Sequence, residues 1–110
     1  MDETSYYEAL SWIRDNKSEY PFASNEFSRE EAIWMVESLY EAGATHVAVG
    51  EIYDEAWRIQ DEGGPYSATL FIYLPPKREG CMRVLEAIKG LRPHEQDVLN
   101  SGEHVRIWWD

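Results

Sequence analysis

Only one cysteine occurs in the 110 residues, Cys81, so no disulfide can close within the chain. That usage suits a reducing compartment, and nothing next to Cys81 would activate it, so it reads as a structural thiol. Long apolar runs are missing too. The longest uncharged stretch, Gly63 to Pro76, is interrupted by Gly64 and Pro65 and falls short of the roughly 20 residues that cross a bilayer. The acidic start, Met1-Asp2-Glu3, is followed by no apolar segment of the secretory kind, so a cytoplasmic protein is expected. Bases are scarce: 10 Lys and Arg stand against 21 Asp and Glu, a net charge of -11. Long-range repulsion therefore argues against duplex DNA, RNA or anionic lipid as partners. No repeat, linker, nucleotide loop, metal-ligand spacing or catalytic motif is visible, so no cofactor is expected.

What is present is apolar and aromatic. Hydrophobic residues make up 44% of the chain and aromatics 14%, well outside the disordered range. The length predicts a single domain over residues 1–110. The charge is lopsided: residues 1–62 hold fifteen acids against four bases and carry the whole -11, while residues 63–110 hold six of each. Within the second part, Lys77 to Arg92 is locally basic.

Periodicity and capping signals predict the order helix, helix, strand, strand, helix, strand. The first helix is placed at 5–17, with Ser5 and Glu8 at capping-box spacing and Tyr6, Ala9, Leu10 and Ile13 on one face. The second is placed at 28–42, with Ser28 and Glu31 as its capping box, an inward stripe from Ala32 to Tyr40, and Gly43 as its stop. Strands are expected at 45–53, 66–74 and 104–109, rich in β-branched and aromatic residues. A third long helix is expected at 77–89, capped by Gly90, with a loop over 92–101. The fold class is α+β: three or four strands with a hairpin and an α crossover, helices on one face, and the N-terminal helix against the other face or an end. A strand hairpin followed by a helix crossover resembles a ferredoxin-like module lacking its first strand, an analogy of architecture that implies no function.

Alternation divides each strand between two faces. Val47, Val49, Ala68, Leu70, Ile72, Leu74, Val105, Ile107 and Trp109 form one apolar face. The opposite face would carry His46, Ala48, Gly50 and Ile52, then Ser67, Thr69, Phe71 and Tyr73, then His104, Arg106 and Trp108. That surface is too apolar for water and too polar for a core, so something should cover it: the N-terminal helix, a second copy, or a partner.

The stretch Gly50 to Ala68 concentrates Glu51, Asp54, Glu55, Asp61 and Glu62 with Tyr53, Trp57, Tyr66 and Arg58. Its spacing fits no calcium loop, and Gly63-Gly64 precedes a strand rather than a helix. It reads as a solvated connection, either an extended hairpin or a short helix over 54–60, with Trp57 anchoring it to the body.

Three functional readings follow. The first is a noncatalytic binding or regulatory module acting through protein contacts, possible as a homodimer, with His46, Ile52, Phe71, Tyr73, His104, Arg106 and Trp108 as its interaction face. The second is a small-molecule or enzymatic domain using His46, His104 and Arg106 under the N-terminal helix, a proton-transfer group beside an anion clamp. The third is an acidic decoy of nucleic acid for a basic partner.

Overall fold

In the computed structural model, which describes residues 7–93, 95–99 and 104–109, helix α2 runs from Arg29 to Ala42. Its capping box is closed: the Ser28 hydroxyl accepts the Glu31 N–H at 3.2 Å, and the Glu31 carboxylate accepts the Ser28 N–H at 2.9 Å. Gly43 ends the helix at φ 120°, a conformation that costs other residues strain. Ala32, Met35, Val36 and Leu39 are its buried stripe, with Ile33 and Tyr40 packed beside them.

Helix α1, Ala9–Asp15, is shorter than expected, because the chain before it is already extended. Tyr7–Glu8 form a two-residue strand, β1, and Glu8 caps α1 by accepting the N–H groups of Leu10 and Ser11 at 3.1 and 2.8 Å. Ser5, and with it the expected capping box, lies outside the described residues. At its other end, Arg29 of α2 donates to the Ile13 carbonyl, one of the oxygens that a helix terminus leaves open, and to the Ser18 carbonyl of the following loop.

Strands β2, His46–Gly50, and β3, Thr69–Tyr73, pair antiparallel and are joined through a short helix, α3, Ala56–Glu62. Helix α4, Arg78–Leu91, passes through Gly90 and ends at Leu91, two residues beyond the expected 89, with Arg92 as its C-cap. Leu91 packs against the core, and that burial carries the helix past the glycine. The expected loop over 92–101 contains instead a strand, β4, Glu95–Leu99, paired with β5, His104–Trp108. Glu-Gln-Asp-Val-Leu has weak strand propensity, so its ladder with β5 decides its conformation.

The sheet is antiparallel throughout, in the order β1-β2-β3-β5-β4. Since β5 runs antiparallel to both β3 and β4, those two are parallel, and α4 links them across the place that β5 fills. This is a split β-α-β unit, and the ferredoxin-like comparison remains an analogy.

The three helices that feed the core, α1, α2 and α4, do so from the same side. Ala9 and Ile13 of α1, the α2 stripe, and Val84 and Ile88 of α4 share one cluster with Val47, Val49, Leu70, Ile72, Val105, Ile107 and Trp109. Of the two placements open to the N-terminal helix, the structure shows the second: α1 stands at the β1 side, against α2, with an Arg14–Glu37 ion pair of 2.9 Å between them. The Tyr40 hydroxyl ties the same corner, donating to Glu8 at 2.8 Å and accepting the Val47 N–H at 3.1 Å. Burial raises the Tyr40 pKa above its ordinary value, and the Glu8 carboxylate adds to this.

Trp57 does not anchor the connection between β2 and β3. It is 52% exposed, and no residue of α3 is buried. The anchor is Asn16: its Nδ2 donates to the Pro65 carbonyl at 2.7 Å, and its Oδ1 accepts the Ser18 N–H at 2.8 Å. Gly64 is needed there, since a Cβ would stand 2.2 Å from Asn16 Oδ1.

Candidate functional site

The outer face of the sheet is a grid built by register. Across β2, β3 and β5, His46 stands opposite Tyr73 and Tyr73 opposite His104; Ala48, Phe71 and Arg106 form the next row; Gly50, Thr69 and Trp108 form the third. The first row is aromatic, with ring centroids 5.6 Å apart from His46 to Tyr73 and 4.7 Å from Tyr73 to His104, the latter pair stacked. Phe71 meets His104 diagonally at 6.0 Å. Beyond β5, Leu99, Asp97 and Glu95 occupy the register positions opposite His104, Arg106 and Trp108.

Six of the seven residues expected on this face are there. Phe71 and His104 keep only 6% and 7% of their surface exposed, Tyr73 keeps 37%, His46 is exposed, and Arg106 and Trp108 are half-buried. Ile52 is the exception: it packs against the core. The reason lies one residue earlier. Glu51 has φ +51°, in the left-handed region, which interrupts strand alternation. Strand β2 therefore ends at Gly50 rather than at 53, and Tyr53 meets Tyr66 in a single bridge further along the same register.

The same kink brings to the face a residue that alternation places on the other side. The Glu51 carboxylate accepts two hydrogen bonds from Arg106, from Nε and Nη2, each at 2.6 Å, and one from the Thr69 hydroxyl at 3.2 Å. Arg106 in turn lies over the Trp108 ring, its guanidinium carbon 3.9 Å from the centroid. The Arg106 hydrogen bonds hold the Glu51 pKa below the ordinary carboxylate value against the opposing effect of its partial burial. One signal in the sequence marks Glu51: a carboxylate following Val47 and Val49 in the apolar phase conflicts with burial.

The geometry constrains the chemistry. His46 and His104 sit on strands two apart, roughly 10 Å at about 4.8 Å per strand, with the Tyr73 ring between them. Two guanidinium nitrogens of Arg106 are already engaged by Glu51, so it is not an open anion clamp. Because α1 packs at the β1 side against α2, the three residues do not line a cleft beneath it. Among the described residues no group of three or more His, Cys, Asp or Glu is placed to hold a metal ion, and no helix is long and apolar enough to cross a membrane. Compared with protein-family models, curated proteins and solved structures, the chain matches none.

Proposed function

We propose that this protein is a small binding module without catalytic activity, acting through protein–protein contact, and that His46, Tyr73, Arg106 and Trp108 form its contact surface, with Phe71 and His104 buried beneath as its support. One observation carries the reading: α1, α2 and α4 all pack on the inner face, while the outer face presents an aromatic row and an arginine stacked on tryptophan. Aromatic residues and arginine are the types enriched in interface cores, because they bury much area with little loss of side-chain freedom. The Glu51–Arg106 pair and the ring stacks hold this surface in one shape before a partner arrives, which lowers the ordering cost of association.

The test is Trp108→Lys, with a thermal melt to check folding. Light scattering at low and high concentration reads self-association: a mass twice the 12.8 kDa of the chain that the substitution returns to 12.8 kDa identifies a dimer through this face. Where the wild type stays at 12.8 kDa, affinity capture compared between wild type and Trp108→Lys reads heterologous partners. A dimer untouched by the substitution, or an identical set of captured proteins, refutes the proposal.

A further inference from the structure

Among the described residues, half of the exposed large apolar side chains gather around α3. Tyr20, Tyr53, Trp57 and Ile59 are 47, 51, 52 and 45% exposed. No residue of helix α3 is buried, so its apolar residues Trp57 and Ile59 stand outside the core. Between α3 and the loop before α2 lies a cleft of about 510 Å³, lined by Ser18, Tyr20, Ser24 and Tyr66, by Arg58, and by the carboxylates of Glu19, Asp61 and Glu62.

The walls of this cleft are fixed. Ser24 N–H donates to the Tyr66 hydroxyl at 3.0 Å, Ala23 N–H to the Ser67 carbonyl at 2.9 Å, and Asn16 joins the loop to Pro65. Its chemistry is displayed by the chain's own cation. The Arg58 guanidinium carbon lies 4.6 Å from the Trp57 ring centroid, 5.5 Å from Tyr53 and 5.8 Å from Tyr66, and Arg58 pairs with Glu55 at 2.9 Å and Glu62 at 3.5 Å. Of these rings Tyr66 lines the cleft beside Tyr20, so an aromatic ring of the cleft already faces a guanidinium. Arg58 engages Glu55 and Glu62, whereas Glu19 and Asp61 make no ion pair or hydrogen bond among the described residues.

We infer that this cleft is a docking site for an arginine side chain carried on a basic segment of a partner protein. Charge complementarity selects the occupant: two uncommitted carboxylates face the cleft, within a part of the chain that carries the whole -11. Exposed aromatic rings select the head group, since a planar guanidinium stacks on a ring and hydrogen-bonds a carboxylate at once, which an ammonium does less well. This surface is separate from the outer sheet face and does not depend on it.

The experiment titrates the protein into a fluorescently labelled peptide of alternating arginine and glycine, read by anisotropy, beside a lysine–glycine peptide of equal charge. The arginine peptide binds more tightly than its lysine counterpart. Tyr20→Ala and Tyr20→Leu, which both remove a ring that lines the cleft, each weaken it several-fold, and the double variant Glu19→Gln, Asp61→Asn weakens it about tenfold. The double variant Glu41→Gln, Glu86→Gln, which removes the same charge from exposed positions on α2 and α4, leaves affinity within twofold. The inference is overturned if this remote variant weakens binding as much as the cleft variant, because attraction is then that of bulk charge. It is equally overturned if the aromatic variants bind unchanged, or if no binding is seen at millimolar protein.

Discussion

Replacing Glu51 by glycine and by alanine separates two effects that coincide in the native residue. Both variants lose the carboxylate, and with it the hydrogen bonds to Arg106 and Thr69. Alanine keeps the cost of a left-handed backbone at φ +51°, about 1–2 kcal/mol for a residue with a Cβ. Glycine removes that cost but gives back roughly 0.5–1 kcal/mol in unfolded-state freedom. The glycine variant is therefore expected to be more stable than the alanine variant by about 0.5–1 kcal/mol. For a domain of this size that is a Tm difference of about 3 °C. The lost ion pair is half-exposed, with side-chain exposures of 23 and 43%, so it contributes at most about 1 kcal/mol. On these terms glycine at 51 lies within about 1 kcal/mol of the wild type, and alanine lies below both. Urea denaturation with matched slopes measures the three. Alanine as stable as glycine would refute the left-handed kink, and with it the account of why Ile52 leaves the outer face. Both variants remove the Glu51 hydrogen bonds to Arg106, so both should weaken association through that face while differing in stability.

Gly64→Ala should cost about 2 kcal/mol, because a Cβ 2.2 Å from Asn16 Oδ1 displaces a buried side chain that makes two hydrogen bonds, each contributing about 1 kcal/mol; a urea midpoint equal to the wild type would count against Asn16 as the anchor. Acid should destabilise the protein. The Glu51 pKa is depressed by Arg106; at Glu8 burial pushes the pKa up, but the Ser11 and Leu10 N–H groups and the Tyr40 hydroxyl outweigh it and the net shift is also downward. A depressed carboxylate contributes stability that is complete above its unfolded pKa of about 4.3 and is lost as pH falls through the folded value. The stability gap between wild type and Glu51→Gln should then be constant near neutrality and shrink below about pH 4; a gap that widens on acidification would contradict the assignment.

Element by element, legibility in the chain followed how local each signal is. Helix α2 could be read to within a residue because its start, stripe and stop are set by contacts three or four positions apart. The inner and outer faces of the three central strands could be read because alternation is also local. β4 could not, since Glu95 to Leu99 carries no alternation of its own and is a strand by virtue of its ladder with β5. Trp57 was misread as an anchor because apolarity suggests burial, whereas the polar Asn16 holds that connection through groups 49 residues apart in sequence. In the candidate face, six residues followed from parity, and Glu51 and Ile52 exchanged sides at one left-handed residue that parity does not encode.

By itself the sequence determined the α+β class, the apolar inner face, the acidic first part and the aromatic composition of the outer face. Each follows from residue type and short-range periodicity, which act the same way wherever the segment ends up. Only the tertiary structure decided that α1 stands beside α2 instead of roofing the outer face, that Arg106 is held by Glu51 over Trp108, and that Tyr20 and Glu19 meet α3 across a cleft. Those outcomes depend on which surfaces compete for the same core, and that competition is settled among elements far apart in the chain.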